Sequence, residues 1–193
     1  MKKKLILSAC VAVAMTFSLP SQAQRLIPKQ RGIEVVGSVP LIRGEKLFTG
    51  DNFGVGISLT RYLKKENYTF VGVEYEQQNV PYRDYSVKLK DALLHLGYMH
   101  PVLSDRGKNM FFYGGISALG GYEELNEDKK LLPDGATLLD HSRFVYGGAV
   151  HGSVEVFLTD RLLFLVKAQG RLLFGSDVHR FRPALSAGLR FNI

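Results

Sequence analysis

Tryptophan is absent from the 193 residues, cysteine occurs once, as Cys10, and proline appears only seven times. One cysteine cannot build a disulfide framework or the thiolate set of a structural zinc site. Also missing, beyond the N-terminus, is any long apolar run. The longest charge-free stretch there is Asn109 to Tyr122. It is interrupted by Gly114, Gly115, Gly120 and Gly121, and is too short for a bilayer-spanning helix of about 20 residues. What the chain does have is 46% hydrophobic residues, 20 glycines and a formal charge of +7. That apolar content excludes disorder, the length suits one domain, and the glycine content favours sheet and turns over a helical bundle.

The N-terminus changes the charge arithmetic. Met1-Lys2-Lys3-Lys4 leads into an apolar stretch from Leu5 to Leu19, followed by Pro20-Ser21-Gln22-Ala23-Gln24. A basic start, a short apolar run and small residues at Ser21 and Ala23 are the layout of a secretory signal, with cleavage expected between Ala23 and Gln24. Leu7-Ser8-Ala9-Cys10 is similar to a lipidation site, but only Leu5, Ile6 and Leu7 supply apolar character before Ser8. Removing residues 1–23 takes three lysines and no acid, so +7 becomes +4. It also removes Cys10, leaving no thiol. The remaining basicity is modest and dispersed, which does not describe a nucleic-acid-binding surface.

Beyond residue 31 the chain divides into eight extended segments of roughly 9–14 residues, separated by polar or Gly/Pro/Asp-rich punctuation. In the first, Ile33, Val35, Val39 and Leu41 share one face, opposite Glu34 and Ser38. Phe53, Val55, Ile57 and Leu59 then alternate with Gly54, Gly56, Ser58 and Thr60, and Thr69, Val71, Val73 and Tyr75 with Phe70, Gly72, Glu74 and Glu76. Between Tyr85 and His100 the parity changes, because Val87 and Leu89 fall out of phase with Ala92, Leu94, Leu96 and Tyr98. A bulge near Lys90-Asp91 would reconcile them, and a helical turn is the alternative. Met110 to Glu123 is apolar on both parities and its faces stay unassigned. The last three segments alternate cleanly: Phe144 to Leu158, Leu162 to Leu172, and Phe181 to Ile193.

The connectors Lys64 to Asn67 and Thr159 to Arg161 are short, and Pro101 to Asn109 is moderate. Those at Ile42 to Asn52, Gln77 to Asp84 and Asn126 to Ser142 are longer, with Gly175 to His179 an exception. Short turns at one end and longer loops at the other suit an eight-stranded, antiparallel, up-and-down transmembrane β-barrel. A soluble sandwich or lipocalin-like barrel would also alternate. Against it stand the export signal and the character of the less apolar face: Gly54, Gly56, Ser58, Thr60, Gly72, Ala149, Ser153, Ser186 and Gly188 suit a crowded eight-stranded interior. Leu189, Phe191 and Ile193 carry the alternation to the last residue and are similar to the C-terminal signal read by the outer-membrane barrel assembly machinery. The expected organisation is a signal peptide over 1–23, an exposed periplasmic arm over 24–31, and an outer-membrane barrel over 32–193.

The same parity turns Glu74, Glu76, Glu155, Lys167, Arg171, Arg182 and Arg190 inwards, where burial demands that they pair or keep water. Structural ion pairing and an ion-selective pore are the two readings of that set, and the narrow bore of eight strands favours the first. No catalytic, cofactor or metal site stands out. Asp140-His141-Ser142 has the residue types of an acyl-transfer triad, yet adjacent residues cannot converge as a triad does. His95, His100, His141, His151 and His179 lack metal-ligand spacing.

Four stretches carry a resemblance: Arg25-Leu26-Ile27-Pro28-Lys29-Gln30-Arg31-Gly32-Ile33-Glu34; Asn67-Tyr68-Thr69-Phe70 with Val73-Glu74-Tyr75; Leu96-Gly97-Tyr98; and Gly121-Tyr122-Glu123. In their order and spacing the mature chain resembles the TraO family of conjugative-transposon transfer proteins. The resemblance implies a non-enzymatic outer-membrane component of a type IV secretion-like DNA-transfer apparatus, with membrane lipid and other apparatus proteins as partners. It brings no catalytic or ligand residues with it.

Overall fold

The computed structural model describes residues 26–41, 52–82, 85–125, 142–176 and 179–193. The expected signal peptide and its cleavage point at Ala23 and Gln24 lie outside these residues, as do Asp140, His141 and most of the loops expected at 42–52 and 126–142. Eight strands follow in chain order: β1 (Arg31–Pro40), β2 (Phe53–Tyr62), β3 (Tyr68–Tyr82), β4 (Tyr85–Ser104), β5 (Met110–Leu125), β6 (Ser142–Phe157), β7 (Leu162–Phe174) and β8 (Phe181–Asn192). Each pairs antiparallel with the next, and β1 pairs with β8, closing the barrel. Among the described residues, the one helical element is a 3-10 turn at Lys64–Glu66, between β2 and β3.

Where the strands overlap, closure satisfies the backbone of each on both sides, so the side chains alone decide what faces out. Outward go the large apolar residues. Val35, Ile57, Leu59, Val73, Leu96, Ile116 and Val150 are each roughly half exposed or more. Aromatic residues edge this belt at both ends, with Phe53, Tyr75, Tyr122, Phe144, Tyr146, Phe174 and Phe181 towards the loops and Tyr98, Phe112, Phe164 and Phe191 towards the short turns. On β8 the ten residue-to-residue steps from Phe181 to Phe191 rise about 25 Å along the barrel axis at ~3.3 Å per step and a tilt of roughly 40°. Between the aromatic bands, no outward-facing side chain among the described residues is charged. This is the surface of a bilayer-spanning barrel, the inverse of a soluble one.

Two expectations need correction. Gln77 to Asp84 is not a long connector: β3 continues to Tyr82, which pairs with Tyr85, leaving only residues 83–84 between the strands. Backbone pairing with β4 holds these polar residues extended although β2 has ended at the Phe53–Gln77 pair. Pro81 is tolerated there because it shares the parity of Asn79, whose N–H turns away from β4 to Asn52 Oδ1 (2.7 Å). Nor is there a bulge or a helical turn near Lys90-Asp91. The ladder is continuous, and the register shift lies at Pro101/Leu103. Val87, Leu89 and Leu93 point into the barrel, so the change of parity in the sequence marks an apolar patch of lumen, not an irregular strand.

Leu93 belongs to one of two apolar clusters among the described residues inside, packing with Leu119, Val145, Ala149 and Leu173 in the half nearer the loops. Tyr62, Tyr68, Phe70, Met99, Phe111, Tyr113, Phe157 and Leu163 fill the turn end, capped by Leu26. Of the expected arm, Arg31 already belongs to β1. Residues 26–30 make a turn on the barrel end, with Lys29 N–H donating to Tyr62 O (2.8 Å) and Tyr62 N–H to Gln30 O (2.9 Å).

Placing a charge on the outer belt tests its orientation. Val150→Arg, near the middle of β6, is expected to cost about 2–4 kcal/mol of unfolding free energy in phospholipid vesicles, read from guanidinium titrations. A barrel whose outer face met water would lose almost nothing.

Candidate functional site

The lumen gathers most of the chain's unusual chemistry. Six carboxylates (Glu34, Glu74, Glu76, Asp91, Glu123 and Glu155) and the bases Lys167, Arg171, Arg182 and Arg190 project into it, each buried or nearly so. They sort into three tiers along the axis.

The tier nearest the turn end is organised by Arg190, whose side chain is fully buried. Its Nε and Nη2 donate to Glu34 Oε2 at 3.0 and 2.6 Å, and Nη1 and Nη2 donate to Glu155 Oε2 and Oε1 at 2.6 and 3.0 Å. Two phenols complete the shell: Nη1 donates to Tyr62 Oη and Nη2 to Tyr68 Oη, both at 2.8 Å, and Tyr68 Oη donates onward to Glu155 Oε1 at 2.5 Å. The guanidinium carbon also lies 4.3 Å from the Tyr68 ring centroid, within cation–π range. Lys167 donates to the other oxygen of Glu34. Room for this hub comes from Gly32, where a Cβ would come within 2.7 Å of Asn192 Oδ1 and Thr60 Oγ1 and 3.2 Å of Arg190 Cδ.

Glu74 centres the middle tier. Ser38 Oγ donates to it at 3.1 Å, Gln169 Nε2 at 3.1 and 3.2 Å, and His95 Nε2 stands 3.1 Å away. His151 is hydrogen-bonded with Ser117 at 2.8 Å, and its ring meets Phe70 edge-on. A cavity of about 40 Å³ lies among these groups, lined by Glu34, Phe70, Glu74, His95, His151, Lys167 and Ser186, with room for a few waters.

The third tier faces the loops. Arg171 Nη2 grips both oxygens of Glu76 at 2.7 and 2.6 Å. Arg182 bridges two strands, donating to Asp91 at 2.6 Å and Glu123 at 2.5 Å, with Ser176 Oγ closing the ring onto Glu123 at 2.9 Å. Two buried atoms here, Asp91 Oδ1 and Arg171 Nη1, have no hydrogen-bond partner among the described residues.

All seven charged residues singled out by alternation therefore sit in the lumen, divided among the tiers rather than gathered at one point. Alternation missed Asp91, on the strand whose change of parity it explained by a bulge, and Glu123, on the strand whose faces it left unassigned. Glu34 fell on the correct parity but was not counted among the charges. Tyr62 and Tyr68 gave no signal, since a tyrosine at a strand end reads as an interfacial aromatic. Leu189 and Phe191 point outwards at the turn end of β8, and Ile193, just after the strand, is exposed. Among the described residues, no group of three or more His, Cys, Asp or Glu side chains is placed to hold a metal ion. Ser142 is the first residue of β6. What the lumen does physically is cross-brace the barrel with charge-assisted hydrogen bonds.

A family model described as "Conjugative transposon protein TraO" matches residues 27–193. Among curated proteins, none matches. Solved structures resemble the fold. Neisserial surface protein A superposes with a TM-score of 0.53 at 15% identity, covering 85% of this chain and 96% of its own. Ail, the attachment invasion locus protein of Yersinia pestis, determined with the heparin analogue sucrose octasulfate, gives 0.52 at 10% identity over 86% of this chain and 100% of its own. The N-terminal β-barrel domain of Pseudomonas aeruginosa OprF gives 0.51 at 10% identity over 86% and 98%. At these identities the likeness is one of fold.

Removing the hub tests the bracing. Arg190→Met leaves Glu155 buried without its cation and Glu34 with Lys167 alone, and is expected to destabilise the barrel by about 3–5 kcal/mol. Adding Glu34→Gln and Glu155→Gln should recover a large part of that loss, measured by denaturant unfolding of the three variants in one lipid.

Proposed function

The chain belongs to the TraO family of conjugative transposon proteins, and from that premise we propose that it is a non-catalytic, outer-membrane component of the apparatus that moves the element's DNA between cells. The observation that carries this reading is the inversion of the barrel: an uncharged apolar belt outside, and the charges paired inside, in a chain of a transfer family. In this reading residues 1–23 direct export and are cleaved after Ala23. Leu189, Phe191 and Ile193 present the last strand to the barrel assembly machinery, and the N-terminal segment from Gln24 stands on the periplasmic side for contact with other apparatus proteins. The barrel anchors that contact in the outer membrane.

A pore for ions or small solutes is the competing reading, and the lumen argues against it. Three tiers of ion pairs and two apolar clusters cross the bore, and the cavity of about 40 Å³ in the middle tier admits only a few waters. DNA could not follow this path, so the barrel's contribution to transfer is one of anchorage and contact.

Donor cells lacking the protein are expected to lose transfer by several orders of magnitude, while the complementing protein fractionates with the outer membrane and migrates differently before and after boiling. Purified barrel should give no steady conductance in planar bilayers. Normal transfer without the protein, or an open channel whose ion preference reverses on Lys167→Glu, would overturn the proposal.

A further inference from the structure

At the turn end, the outer face holds a pair of charges with no counter-charge among the described residues. Arg31 on β1 and Arg61 on β2 are direct cross-strand partners, and both are exposed. Both lie on the parity of Ile33 and Leu59, the outward pair two residues further along the same ladder. Like charges placed opposite one another across an antiparallel ladder repel, with Cβ atoms only about 5 Å apart. Neither guanidinium has a hydrogen-bond or ion-pair partner among the described residues. Elsewhere on this rim Lys108, in the β4–β5 turn, is paired with Glu66.

We propose that Arg31 and Arg61 together bind the phosphate of an anionic phospholipid in the leaflet bordering the turn end. This rests on the membrane-barrel reading above. Two guanidiniums on facing residues of adjacent strands can both donate to one tetrahedral anion, whose charge offsets their mutual repulsion. A lipid is favoured over a free anion by what lies next to the pair. Ile33 and Leu59 begin the apolar belt one outward position away, and Phe191 pairs with Ile33 from the other side. A lipid whose chains lie on that belt brings its phosphate to the level of the arginines. On β3 and β4 the same outward row continues as Thr69 and Tyr98, residues that suit the interface between hydrocarbon and headgroup.

The test is native mass spectrometry of the folded protein released from detergent after titration with phosphatidylglycerol or phosphatidylcholine. The wild type should retain one phosphatidylglycerol at concentrations where phosphatidylcholine is not held. Arg31→Gln with Arg61→Gln should weaken that retention roughly 25-fold, about fivefold for each charge removed near an anionic surface. Lys64→Gln with Lys65→Gln, on the same rim but outside the pair, should stay within about twofold of wild type. Equal retention of the two lipids by the wild type overturns the proposal without recourse to any variant. So does unchanged retention by the double arginine variant, or displacement of the lipid by millimolar inorganic phosphate. The gel shift between boiled and unboiled protein is recorded for each sample. Its loss in the wild type would count against the membrane barrel itself, and its presence with no lipid preference against the arginine site alone.

Discussion

The ladder between β1 and β8 has to bring together residues about 150 positions apart, and one ion pair sits inside it. Glu34 and Arg190 are cross-strand partners in that ladder and are bonded through their side chains as well. Arg190 also reaches β2 through Tyr62, β3 through Tyr68 and β6 through Glu155, so a single guanidinium ties the seam to the far wall. Closing so long a loop carries a large entropic cost, and open edges cannot persist in hydrocarbon. A buried arginine that is satisfied only when the seam is shut makes closure close to all-or-none.

From that constraint the rest of the interior follows. Eight strands enclose a bore of side-chain width, and once the apolar residues are committed to the outside, polar groups must fill it. Each buried charge then needs a partner across the barrel, because leaving one alone costs more than the pair returns. The result is a stack in which charged tiers alternate with aromatic and aliphatic packing. Rigidity is what such an arrangement provides, and it suits a membrane anchor better than a conduit.

The sequence made some of this legible and hid some, for a physical reason. On β1 to β3 and β6 to β8 one face is apolar and the other small or polar, so period two identified both faces, and with them Glu74, Glu76, Glu155 and the four lumenal bases. On β4 and β5 both faces are apolar where the strands cross the inner cluster. Leu93 and Leu119 point inwards while Leu94 and Ile116 point outwards. Alternation cannot rank two apolar faces, and with the faces went Asp91 and Glu123. The length of the β3–β4 hairpin was hidden as well. Its polar residues read as loop because their pairing is made by the backbone, which leaves no mark in side-chain chemistry. Family membership was accessible from short motifs in order, though not from periodicity.

The two ends of the described chain leave the barrel on neighbouring strands at the same rim, where Ile193 N–H donates to Arg31 O at 2.8 Å. A pull applied between them would therefore load the seam as a zipper, one pair at a time, rather than in shear across all pairs at once. Zippers are mechanically weak, and in this one the pair Gly32–Asn192 is met early, with Glu34–Arg190 two positions further in. The latch stands close to where peeling would begin, so tension on the N-terminal segment would meet the strongest bond of the seam before much of the ladder had opened.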